Sequence, residues 1–205
     1  MAKSVKHPIL KHIAGLPAYQ ALLSGLEQGQ HAKQARKGLG LPRAARLALL
    51  AALHLDLQAP IILVTNRADR ALGLFDELNF WLPEHNNLYF PEPNPLFYEK
   101  LPWSESTRRD RLMVFAELSK YLLPGVNRPA IPPVIVTPVR AIMTRTLPRR
   151  EFLRLTQRVT VNERRDLVEM TKAWVRLGYE YSNIVVQPGQ FSRRGGILDV
   201  WSPSE

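Results

Sequence analysis

The 205-residue chain contains no cysteine, which excludes disulfides and every cysteine-based metal site. No apolar run approaches the roughly 20 residues that a membrane-spanning helix needs, so none is expected. The basic start, MAKSVKHPILKHIAG, lacks the apolar core and small-residue cleavage site of an export signal, and a cytoplasmic address is expected. A phosphate-binding G-x-x-x-x-G-K-[ST] loop is missing too. In such a loop backbone amides cradle phosphates, the lysine reaches the β- and γ-phosphates, and the hydroxyl holds magnesium. Before its first long helix this chain instead reads KGLGLPRAARLALL. Gly38 and Gly40 remain as loop formers, but Leu41 offers no metal ligand and Pro42 has no amide proton. Arg43 and Arg46 are left as candidate phosphate contacts, with a plain helix-surface role as the alternative. The five histidines, His7, His12, His31, His54 and His85, show no metal-ligand spacing. No catalytic set, metal site or cofactor is expected.

What is present is positive charge, net +10 in total and unevenly placed. Residues 1–46 carry eight Lys/Arg against one acid, and residues 142–176 carry nine against four. Clustered basic charge is what a phosphate backbone attracts through counterion release, although a solvated basic face has the same composition. Arg164 and Arg165 are the candidate DNA contacts in the second cluster.

Residues 1–16 have little apolar periodicity and read as a basic, frayed leader. AYQALLSGL predicts a short helix, and Pro42 sits as the first residue of an Ala- and Leu-rich helix running to Leu55. PIILVT (60–65) is a continuous apolar run, which predicts a strand covered on both faces. Asn66 is placed to cap the amphipathic helix that follows, and NLYF (87–90) forms the second strand. A proline-rich loop carrying Phe97, Tyr98 and Trp103 then leads to a helix opened by Ser104. Val134–Thr137 reads as a third buried strand. Strands alternating with helices predict an α/β domain on a mainly parallel sheet with right-handed crossovers.

From about Thr146 the pattern changes. LTQRVTV (155–161) alternates apolar and polar residues as a strand with one wet face would. Asn162 is the expected cap of the next helix, which ends at Gly178. The final stretch, QPGQFSRRGGILDVWSP (187–203), pairs a Pro-Gly turn with an Arg-Arg-Gly-Gly loop on a β-rich run. Arginine's planar fork suits a partner's carboxylates, so this loop is the expected protein-docking feature, with a purely structural bulge as the alternative. The chain stops at Glu205, directly after a strong strand, and a piece of something longer is expected.

GLGLPRAARLALLAAL, NLYFPEPNPLFYEKLPWSESTRRDRL, PPVIVTPVRAIM and above all GYEYSNIVVQPGQFSRRGGILDVWSP resemble the N-terminal, UvrB-like part of bacterial transcription-repair coupling factors (Mfd). The resemblance implies that residues 17–145 are a degenerate RecA-like domain without a nucleotide site. Residues 146–205 would be the truncated start of the domain through which this family and UvrB bind UvrA. Of the family's UvrA contacts, one arginine falls on Arg194, beside Gly195; Phe191, Gly189 and Asp199 match as scaffold, and Arg193 stands where the family is less basic. The resemblance also implies RNA polymerase and duplex DNA as partners of downstream segments, where an ATP-driven translocase would lie. A UvrB-type excision protein fits less well, because it needs an intact phosphate loop and a longer aromatic hairpin. The expectation is thus a UvrA-recruiting module with no ATPase activity of its own, with UvrA-binding residues Arg194, Arg193, Phe191 and Gly195. The alternative is a sequence-independent DNA-binding adapter acting through residues 1–46 and 142–176.

Overall fold

A computed structural model describes residues 7–28, 40–83, 85–93, 103–123 and 126–203. The connector 29–39, the first six residues, and Phe97 and Tyr98 lie outside the described residues. The chain divides into two compact units, Met1–Glu92 with Arg128–Met143, and Pro93–Asn127 with Thr144–Glu205. The sequence places a single boundary near 146; in the structure the segment Pro93–Asn127 goes with the second unit instead. No helix among the described residues is long and apolar enough to cross a membrane.

The first unit holds α1 (Pro8–Ala14), α2 (Pro17–Glu27), α3 (Ala45–Leu57), β1 (Ile61–Thr65), α4 (Ala68–Trp81), β2 (Asn87–Tyr89), β3 (Val134–Pro138) and α6 (Val139–Met143). Its sheet is parallel, in the order β1-β3-β2. The central strand, β3, is buried along its whole length, as the run Val-Ile-Val-Thr predicts. β1 departs from the expectation of two covered faces. It lies at the edge, Ile61 and Leu63 pack on the core, and Ile62 and Val64 remain exposed. Apolar composition alone does not tell a central strand from an edge strand.

α3 packs against α1, α2 and α4. Ala48, Ala51 and Ala52 are all buried there, and their small side chains let neighbouring elements come close to the helix axis. The expected frayed leader is corrected for its second half. His7 caps α1 through Nδ1, which accepts from the Ile9 amide at 3.3 Å, and Leu10 is 2% exposed within the core. Two helix starts also move. α3 begins at Ala45, after a Pro42–Ala44 turn, and α4 begins after Arg67 rather than Asn66. At α4 the Arg67 guanidinium reaches forward to Asp69 at 2.7 Å, tying the first turn.

The second unit holds α5 (Glu105–Ser119), α7 (Arg149–Leu155), α8 (Leu167–Arg176), β4 (Glu180–Tyr181), β5 (Gln190–Arg194) and β6 (Ile197–Val200). Ser104 caps α5 as expected, accepting from the Thr107 amide at 3.2 Å. Phe115 of α5 meets Phe152 of α7 edge-on at 5.7 Å. Arg111 lies over the Trp103 ring at 4.9 Å, so this aromatic of the proline-rich loop is engaged within its own unit. The strand expected at 155–161 is absent: α7 ends at Leu155, and 156–166 has no ladder partner. Asn162 occupies a turn at φ +68°, and Asp166 is the cap, its carboxylate accepting from the Val168 and Glu169 amides.

Candidate docking hairpin

The last sheet orders β4-β5-β6, with β4 parallel and β6 antiparallel to β5. Gln190 starts β5 by folding its side chain back, and Oε1 accepts from the amides of Val186 and Gln187 at 3.0 and 3.3 Å. Gly189, at φ +84°, occupies a conformation that costs other residues strain. There its amide donates to the Trp201 carbonyl at 2.8 Å, and its own carbonyl accepts from the Glu180 amide at 2.9 Å. This one residue therefore joins all three strands.

Arg194 pairs with Ile197 across a two-residue turn, Gly195-Gly196. Gly195 has φ +59° and Gly196 does not have a positive φ, the pattern of a type II′ hairpin turn, which asks for glycine first. The expected docking loop is thus a tight hairpin end rather than a bulge.

Alternation along β5 gives the hairpin two faces. Phe191 and Arg193 share one, with Tyr181, Val200 and Leu198 as cross-strand neighbours; Gln190, Ser192 and Arg194 share the other, with Glu180, Asp199 and Ile197. On the first face Phe191 is 3% exposed. Trp174 of α8 meets it edge-on at 5.6 Å, and Tyr181 meets it at 5.8 Å. Phe191 is therefore the pin that fastens β5 to α8, and only a small part of its ring surface is left exposed. On the second face Ser192 is buried, its hydroxyl donating to the Asn183 carbonyl at 3.1 Å. Arg194 projects into solvent and donates from Nη2 to Asp199 Oδ2 at 2.6 Å.

The other candidates are not gathered into this site. Arg43, just ahead of α3, and Arg46, in its first turn, are exposed in the first unit, and Arg46 Nε donates to the Leu41 carbonyl at 3.4 Å. The first amides there, of Ala45 and Arg46, already donate to the carbonyls of Pro42 and Arg43. Arg164 and Arg165 are exposed between α7 and α8. Arg165 pairs with Glu163 at 2.7 Å, and the Thr160 amide and then Arg165 hold the Glu163 carboxyl below its usual range. Asp199 as the counter-ion of Arg194 is legible only once the register of β5 on β6 is known.

Comparison with known proteins places these elements. Residues 158–205 match the family model of the UvrB interaction domain, a span that contains α8 and all of β4-β5-β6. The chain is 35% identical over 167 residues to the transcription-repair-coupling factor of Myxococcus xanthus, across 80% of its own length. It is 30% identical over 184 residues to that of Bacillus subtilis (strain 168), across 89% of its length. It spans about 14% of the length of each of these relatives. The resemblance seen in the sequence is borne out over most of the chain.

Proposed function

We propose that this chain acts as a UvrA-docking part of a transcription-repair coupling factor, in transcription-coupled nucleotide excision repair. The observation that carries the reading is a coincidence of place. The segment that matches the UvrB interaction domain is the one whose hairpin holds an arginine, Arg194, out in solvent beside a tight glycine turn. A guanidinium on a rigid strand end loses little freedom when it meets a carboxylate, which favours binding. In this reading RNA polymerase and duplex DNA engage other segments of a longer protein. The first unit lends support without turning over nucleotide, and no cofactor is used.

The test is binding of purified UvrA to the chain by isothermal titration calorimetry. Saturable binding that Arg194→Glu abolishes supports the reading, and unchanged binding by that variant removes the assigned role. Adding ATP and magnesium is expected to leave the melting temperature where it was, because nothing binds the folded state to raise it.

One observation favours a second reading, a duplex-DNA adapter: Arg149, Arg150, Arg154, Arg164 and Arg165 are all exposed within a short stretch of the second unit. Phosphate contacts must appear as a negative log–log slope of affinity against salt. A flat slope removes this reading.

A further inference from the structure

The hairpin face opposite Arg194 carries a second feature that the UvrA reading does not use. There α8, β4 and β5 enclose an open groove of about 510 Å³, lined by Lys172, Val175, Arg176, Tyr181, Phe191 and Arg193. Its floor is apolar. Phe191 closes the bottom, while Val175 and Tyr181 stand 58% and 59% exposed, unusual for side chains of this kind meeting in one place. Its rim is cationic: Lys172 and Arg176 come from α8, four residues apart, and Arg193 from β5.

The charge on that rim is only partly answered. Lys172 donates to Glu169 Oε1 at 2.9 Å. Arg193 spends Nε on the Gly195 carbonyl at 3.3 Å. Neither Arg176 nor Arg193 forms an ion pair among the described residues. Glu180 is the nearest acid in sequence on β4, and its register with Gln190 puts it on the other face. The groove therefore pairs exposed apolar surface with two uncompensated guanidinium groups.

We infer that this groove is a docking site for an acidic peptide segment of a partner protein, one that carries an aliphatic or aromatic side chain between carboxylates. The apolar side chain covers Val175 and Tyr181, and the carboxylates meet Arg176 and Arg193 in charge-assisted hydrogen bonds. A nucleic-acid backbone matches the site less well, since phosphates leave the apolar floor uncovered and the rim offers few cations. This site stands apart from the UvrA reading, and its test does not require UvrA.

The experiment titrates the whole chain into a short fluorescein-labelled synthetic peptide with glutamates on both sides of one leucine, read by anisotropy. Saturable binding is expected. The double change Arg176→Glu with Arg193→Glu, and separately Val175→Asp, should each weaken it by about tenfold or more. Replacing the peptide's leucine by serine should weaken it comparably, and Arg194→Glu should leave affinity within about twofold. Near-ultraviolet circular dichroism of the tryptophans checks folding, and Arg176→Gln with Arg193→Gln replaces the charge reversal should that variant unfold. The inference is overturned by absence of binding at millimolar peptide, or by unchanged affinity in the groove variants. It is equally overturned by an equal loss in Arg194→Glu, which would put the peptide on the other face, or by displacement of the peptide by a duplex oligonucleotide.

Discussion

Arg193 and Arg194 are neighbours in the chain and emerge on opposite faces of β5. Arg194 is clamped by Asp199 at 2.6 Å, a diagonal cross-strand pair two residues along β5 from Ser192, which lies directly opposite Asp199. Arg193 lines the groove against α8 and has no acidic partner among the described residues. The two charges therefore do different work. Arg194 is pre-oriented and partly neutralised; Arg193 is available. An exposed pair of this sort adds little to stability, so what Asp199 contributes is direction.

This gives a first prediction. Asp199→Asn should change the melting temperature only slightly, because exposed ion pairs are worth about 0–1 kcal/mol. It should leave UvrA binding intact or strengthen it, since Arg194 no longer has a competing carboxylate. Arg194→Glu should weaken UvrA binding by roughly 1.5–3 kcal/mol or more, the worth of a charge-assisted contact. Calorimetry on both variants checks the pair of signs; loss of binding in Asp199→Asn would mean that the clamp itself is required.

The turn glycines are not equivalent, and that is a second prediction. Gly195 sits at φ +59° and Gly196 does not have a positive φ, while neither has a neighbour within 4 Å of an added Cβ. Space is thus equal and backbone strain decides. Gly195→Ala should cost about 1 kcal/mol, whereas Gly196→Ala should fall within about 0.5 kcal/mol of the parent. Urea melts followed by tryptophan fluorescence separate them.

The sequence made some of this legible and hid other parts for identifiable reasons. Val134–Thr137 reads as a strand because its run is short, β-branched and apolar, but the same is true of Ile61–Thr65, and only the strand order shows which of the two is central. Ser104 and Gly178 marked helix ends because their chemistry is local. The run 155–161 misled, since alternation predicts a strand only when a partner strand exists, and here Val161 ends up 92% exposed with no ladder beside it. Asn162 and Asp166 are both good caps. The apolar spacing of Leu167, Met170 and Trp174 goes with the start at Asp166, since half-buried Leu167 and Met170 and buried Trp174 share one face from there on. The groove was hidden because Lys172 and Arg176 read as a solvated helix face until β5 brings Arg193 beside them.

Phe191 supports a third prediction, one that separates scaffold from contact. It is enclosed by Trp174 and Tyr181, so Phe191→Ala should destabilise the second unit by about 3–5 kcal/mol. A unit this small has a total stability of the same order, and the variant should lose UvrA binding by unfolding. Phe191→Leu keeps most of the volume and should cost roughly 1.5 kcal/mol or less. If Phe191→Leu stays folded yet loses binding, the ring touches the partner after all.

The last prediction concerns pH and the first unit. His54 is 1% exposed and meets His85 edge-on, ring centroids 5.5 Å apart. Burial first, and then the neighbouring imidazole, lower its pKa to about 4, opposed by a hydrogen bond with the Ala59 backbone. In the unfolded chain the same group titrates near 6.5. Between those values the unfolded state binds the proton and the folded state does not, so stability rises with pH across the window. The contribution is fully present above about pH 6.5 and falls away as pH drops toward 4, by up to about 3 kcal/mol. His54→Leu removes the titrating group, and its stability between pH 4 and 6.5 should be flatter than that of the parent. Urea midpoints at a series of pH values test this; identical slopes for parent and variant would assign the acid sensitivity to other groups.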